Sequence, residues 1–282
     1  MHSVQFRKFK KEMGQANHFL ITLLVGLDAV EDGAQKRESF QTTWNPQNTN
    51  FSVSRSRHYA IKSALAWTVD NLDMYLRLCN RLPRLYSDSE SAEISNTKLS
   101  VYNKLIVILK NHNEIPISQS AYVDLLICWR NNLIHFDAEN QLSSESNRYF
   151  KNIPSDDIIV NKYHLDAEQM LSRFQAKECP TFKEITSLIS MTIHFVEDLD
   201  ASLLANIDQY EFLKQTLSQI LHLDEKNIQA FSHRNTTSFK RQKRIKQLLA
   251  SNGIPNTFYN DDGQRFLDEF SHYTPEQVYS KL

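Results

Sequence analysis

Glycine is nearly missing from this chain, with five residues in 282. Rossmann sheets, phosphate-binding loops and β-barrels all need glycine where the backbone turns tightly or approaches a ligand. The scarcity argues against all three and fits a helical protein. Cysteine is scarce too: Cys79, Cys128 and Cys179 lie far apart and form no Cys-x-x-Cys pair. They read as reduced, mostly buried thiols of a cytosolic protein. No apolar run approaches the ~20 residues of a membrane span, and Met1 to Lys11 is charged rather than signal-like. A soluble cytoplasmic protein without membrane contact is therefore expected. Charge of either sign is lacking in sum, at a formal net of −1, so any polyanion-binding surface must be local. Common catalytic signatures are absent as well. There is no His-Glu-x-x-His, no Gly-x-Ser-x-Gly and no kinase pattern, and His and Cys fall at no metal-ligand spacing. No metal site and no cofactor are expected. The acid pairs Asp156-Asp157 and Asp261-Asp262 read as turn chemistry.

What is present is helical periodicity. Phe6, Phe9, Met13, Ala16, Leu20, Leu23, Leu27 and Val30 keep a three-four spacing, which predicts one long helix with a narrow core seam. A second helix is predicted from Ser54 or Ser56 to about Leu82. Ile61, Leu65, Thr68, Leu72 and Leu76 line one face; Ala60, Ala64, Trp67, Met74 and Leu78 line another, so cover on two sides is expected. Arg55, Arg57 and His58 open that helix, either as phosphate contacts or as a solvated first turn. Residues 87–96 read as a loop. Leu99, Tyr102, Ile106 and Leu109 predict a third helix, and Pro116 closes the connection after it. Ile158-Ile-Val160 fits a short strand or a tucked-in loop equally well. Further helices are predicted after an Asp166 cap, through Ile185 to Leu203, and through Tyr210 to Ile220.

The stretch from Tyr122 to Phe136 stands apart. Tyr122, Leu126, Trp129, Leu133 and Phe136 share one helical face, and Arg130 projects into the apolar arc between Leu126, Leu133, Val123 and Ile134. A guanidinium there is costly unless paired, with Asp70, Asp73 or Asp137 as the available acids. His135 lies on the polar side, where Asn131 and Asn132 are placed to fix its tautomer. Five residues separate Arg130 from His135, hence about 140° on an ideal helix. Bringing them to one phosphate requires that Arg130 swing round, that the helix end near Asn132, or that a second protomer supply one of them.

Arg130-Asn131-Asn132-Leu133-Ile134-His135 resembles the Arg, polar residue, then His motif of HEPN-domain ribonucleases, over a chain region of about 4 to 220. The resemblance implies an all-α, HEPN-like multi-helix bundle that cleaves RNA without metal. Arg130, Asn131 and His135 would be the catalytic residues, with Asn132 contacting substrate. It also implies a homodimer whose two motifs form one composite site, and a toxin or antiviral defence effector held in check by an antitoxin or regulatory partner. A subgroup carries a modifiable Tyr two residues after the His; here that residue is Asp137, so that mode of control is not carried over. The other class of reading is a non-catalytic helical module that binds RNA, nucleotide or a protein.

After about residue 222 the composition changes. No Asp or Glu occurs between Lys226 and Asn260, while Lys226, Arg234, Lys240, Arg241, Lys243, Arg244 and Lys246 do. A helix capped within Thr236 to Ser238 would display Lys240, Arg241, Lys243 and Arg244 either to RNA or to solvent. The division expected is therefore 1–220, a HEPN-like helical domain carrying the motif, and 221–282, a small basic helical subdomain.

Overall fold

The computed structural model describes residues 2–98, 100–135, 137–154, 158–232 and 237–282, with 158–160 described by their backbone. Leu99, Phe136, Asp156-Asp157, Arg234 and Thr236, on which parts of the sequence reading rest, lie outside these residues. The described chain is all-α: α1 (Val4–Met13), α2 (Ala16–Glu31), α3 (Thr49–Cys79), α4 (Asp88–Asn96), α5 (Val101–Asn111), α6 (Ile117–Ile134) and α7 (Ser144–Lys151) come first. Then follow α8 (Ile158–Tyr163), α9 (Ala167–Gln175), α10 (Phe182–Asn206), α11 (Gln209–Leu223), α12 (Ser238–Ser251), α13 (Asp261–Phe270) and α14 (Pro275–Lys281). None of these helices is long and apolar enough to cross a membrane.

Several elements differ from the sequence reading, each for a local reason. The long first helix is broken at Gly14. Its N–H still reaches the Lys10 carbonyl, but a Cβ there would stand 2.7 Å from that oxygen, and Gln15 leaves helical geometry at φ −115°. The seam is buried only as far as Leu20; Leu23 is 57% exposed. Residues 87–96, read as a loop, form α4 instead. Ser87 accepts a hydrogen bond from the Glu90 N–H, and Asp88 and Glu90 place negative charge at the positive helix start. The stretch left open between strand and loop at 158–160 is helical. The second face of α3 is only partly covered, since Trp67 remains half exposed.

By contact the chain divides into two compact units, one of residues 1–7, 75–98 and 199–282, the other of 8–74 and 99–198. Residues 221–282 thus pack with α11 and two earlier segments, and position 220 lies inside a unit. In the first unit, Asp200 is fully buried and accepts from the Ser3 N–H at 2.9 Å, the Ser3 hydroxyl, and the Tyr75 hydroxyl at 3.2 Å. Burial pushes its carboxyl above the usual range while those donors pull it back. Gln209 ties α11 to the chain before α13 by donating to the Phe258 carbonyl and accepting from the Asn260 N–H.

The second unit is built on α6, in which every residue from Ser120 to Trp129 is buried. Tyr122 meets Phe150 of α7 edge-on at 5.1 Å, and the Trp129 indole N–H donates to the Glu178 carbonyl at 2.8 Å. Truncating a fully buried Trp of this kind costs about 3–5 kcal/mol. Beside it the Lys104 ammonium of α5 meets Asp73 of α3 at 2.6 Å with little exposure of either group. Loss of Asp73 would leave the buried Lys104 ammonium without this partner, a penalty of roughly 3–5 kcal/mol.

Candidate active site at the end of helix α6

The C-terminal half of α6 carries three polar side chains spaced four apart on one face. Asp124 accepts from the Ser143 N–H at 2.9 Å, Cys128 Sγ lies 3.4 Å from the Gln141 carbonyl, and Asn132 grips Asn140 twice. The Asn132 amide donates to the Asn140 carbonyl at 2.9 Å and its oxygen accepts the Asn140 N–H at 2.7 Å. The contacts run in reverse chain order, so residues 140–143 are laid back along the helix that precedes them. Burial and the Asp124 carboxylate both push the Cys128 thiol well up, which keeps it a neutral packing group. The sequence reading missed this ladder. Its signal was Asp124, Cys128 and Asn132 at i, i+4 and i+8 along the buried stretch of the helix and its end.

Folding the chain back ends the helix. His135 is the first residue beyond α6, with extended backbone at φ −100° and ψ 121°. Its carbonyl accepts the Ala138 N–H, closing a turn. Leaving helical geometry moves the imidazole from where an ideal helix would put it, and Arg130 Nη1 stands 3.3 Å from His135 Nε2. Arginine only donates, so the ring accepts at Nε2 and carries its proton on Nδ1 in this contact. The pair therefore meets within one chain, with the helix running past Asn132 to Ile134.

Arg130 keeps its stem covered, with 14% of the side chain exposed, and its Nη2 lies 3.9 Å from Asp70 of α3. Its Nε is buried and has no hydrogen-bond partner among the described residues. His135 is exposed. The two open on a cleft of about 460 Å³ whose walls include Tyr102 at the start of α5, Asn131 and Asp137. Neither asparagine orients the imidazole, contrary to the sequence reading. Asn131 donates to Asn140 Oδ1 at 2.8 Å, and Asn132 is occupied by the Asn140 backbone. Tyr102, an aromatic wall of the cleft, was legible only as a core position.

The other candidates fall elsewhere. On α12 of the first unit, Thr237 caps the helix, and Lys240, Lys243 and Arg244 are exposed. Arg241 is not on that surface: it is buried, and its Nε donates to the Ser271 carbonyl. Arg57 on α3 is paired at the surface with Asp28 and Glu31 of α2, both through Nη2. Among the described residues no three His, Cys, Asp or Glu side chains gather as a metal-holding group. Comparison with protein-family models, curated proteins and solved structures finds no match to this chain.

Proposed function

We propose that the cleft at the end of α6 cleaves RNA, as the HEPN resemblance implies. The observation that carries this reading is the 3.3 Å approach of Arg130 Nη1 to His135 Nε2 at an open cleft. When Arg130 turns its donors onto a phosphate, the Nε2 lone pair that accepts from it is released, and His135, with its proton on Nδ1, serves as a base for a ribose 2′-hydroxyl. The 2′-oxygen then bonds to phosphorus as the bond to the 5′-oxygen breaks. The leaving oxygen takes a proton from the imidazolium so formed, directly or through water, which gives a 2′,3′-cyclic phosphate and a 5′-hydroxyl and restores the neutral ring. General base catalysis of this kind contributes about 10²–10⁴ in rate. Arg130 stays charged and offers forked donors to the crowded phosphorane, roughly 10²–10³ by analogy with an oxyanion-hole donor.

Two chains acting together, a toxin or defence role in the cytoplasm, and a restraining partner belong to the same reading and rest on the resemblance. The test is to incubate the purified chain with mixed RNA in excess chelator and analyse the new ends. Cyclic phosphate ends are expected; activity that vanishes with chelator and returns with Mg²⁺ would overturn the metal-independent reading. One observation favours the non-catalytic alternative, namely the second contact of Arg130, to Asp70 at 3.9 Å, which gives the guanidinium a structural partner.

A further inference from the structure

The loop that carries His135 has a second side. Next to the Arg130–His135 cleft lies another of about 410 Å³, and Asn140 lines both. Leu142, Leu171 and Phe174 give this second cleft its apolar floor, and amides surround it: Asn132, Asn140, Gln141, Asn147 and Gln175. The only charged side chains lining it are Glu139 and Lys177, which stand 3.7 Å apart and offset one another. Nothing in this lining favours a phosphate.

Several of these amide groups are already engaged, which narrows what is left to offer. Asn132 is spent on the Asn140 backbone, Asn140 Oδ1 accepts from Asn131, and the Asn147 amide donates to the Leu142 carbonyl. Asn140 Nδ2 remains as a donor and Asn147 Oδ1 as an acceptor. Gln141 and Gln175, both exposed, keep whole amides. A cleft whose lining charges offset one another, with an apolar floor and a rim of donors and acceptors, suits a flat heterocycle that carries both on one edge. Asparagine and glutamine are side chains that read such edges two bonds at a time.

We propose that this cleft receives a nucleobase of the RNA strand whose phosphate lies at Arg130 and His135, and so sets base preference beside the cut. The inference rests on the ribonuclease reading for the strand's course and deepens it. Asn140 couples the two sides, because the residue that closes the base cleft is also held by Asn131 and Asn132 of the motif.

The experiment uses four fluorescein-labelled 2′-O-methyl RNA octamers, one per base. They lack the attacking hydroxyl, so binding is read apart from cleavage. Fluorescence anisotropy on the full chain is expected to give one base at least about a tenfold preference over the weakest, the scale of one two-bond amide contact. In Gln141→Ala/Gln175→Ala that preference collapses; both side chains are exposed, so the fold is retained, which a melting curve verifies. Arg130→Ala lowers affinity for all four octamers alike. Equal binding of the four by the wild type, or a preference that survives in the double variant, overturns the base cleft. Base-selective binding that depends on these glutamines in a chain that cuts no RNA keeps the cleft and overturns the nuclease. Cleavage that shows no base preference on mapping does the reverse.

Discussion

Arg130 Nη1 and His135 Nε2 stand 3.3 Å apart, although an ideal helix would separate the two residues by about 140°. The helix ends at Ile134, just before His135, and Asn132 holds the returning chain by a double hydrogen bond to the Asn140 backbone. The asparagines of the motif thus hold the loop that follows the imidazole.

Asn132→Ala removes both bonds and leaves backbone groups of Asn140 unpaired in a half-buried site. A stability loss of about 1–3 kcal/mol is expected in thermal melts. Cleavage should fall further than stability explains, by up to about 10²-fold, the scale for a reactive group misplaced by one ångström. A lower melting point with unchanged cleavage would confine Asn132 to a structural role.

The composite site that the resemblance implies cannot draw on Ser120 to Trp129 of α6, which are buried within their own fold. Each chain holds its own Arg130–His135 contact. Mixing Arg130→Ala chains with His135→Ala chains is therefore expected to give no activity beyond the sum of the two. Recovery of cleavage in the mixture would mean that Arg and His are shared between chains.

Much of this architecture was legible in the residues, and the misses have physical causes. Periodicity located α3, α5, α6, α9, α10 and α11 because each buries a regular apolar stripe. It overran Gly14, since a pattern of side chains carries no mark of a backbone break. It passed over α4 and α7, whose helices begin at Ser87 and Ser143 caps and bury few apolar groups. The Arg130–His135 pair was visible as residue types, but their distance was not, because it depends on contacts with Asn140 and Ser143 farther along the chain. Arg241 looked like its neighbours by charge, and only the carbonyl of Ser271 separates it from them.

Acid should weaken the first unit through Glu269. The hydroxyls of Tyr273 and of Tyr210, the latter at 2.7 Å, donate to its carboxylate and hold its pKa below the ordinary value. A depressed folded pKa contributes stability that is complete above the unfolded value of about 4.3 and is lost as pH falls through the folded one. Tyr210→Phe/Tyr273→Phe should lower the melting point at neutral pH and flatten its decline as pH falls below the unfolded value. Parallel curves for the variant and the wild type would remove Glu269 from the account.

The most direct measurement is the rate at which a defined RNA is cut in excess chelator by the wild type, Arg130→Ala and His135→Ala, with the new 3′ ends identified. The ribonuclease account predicts cyclic phosphate ends from the wild type and a loss of at least about 10²-fold in each variant, with melting points retained. A folded wild type that cuts no RNA, or a His135→Ala chain that cuts at the wild-type rate, would contradict it.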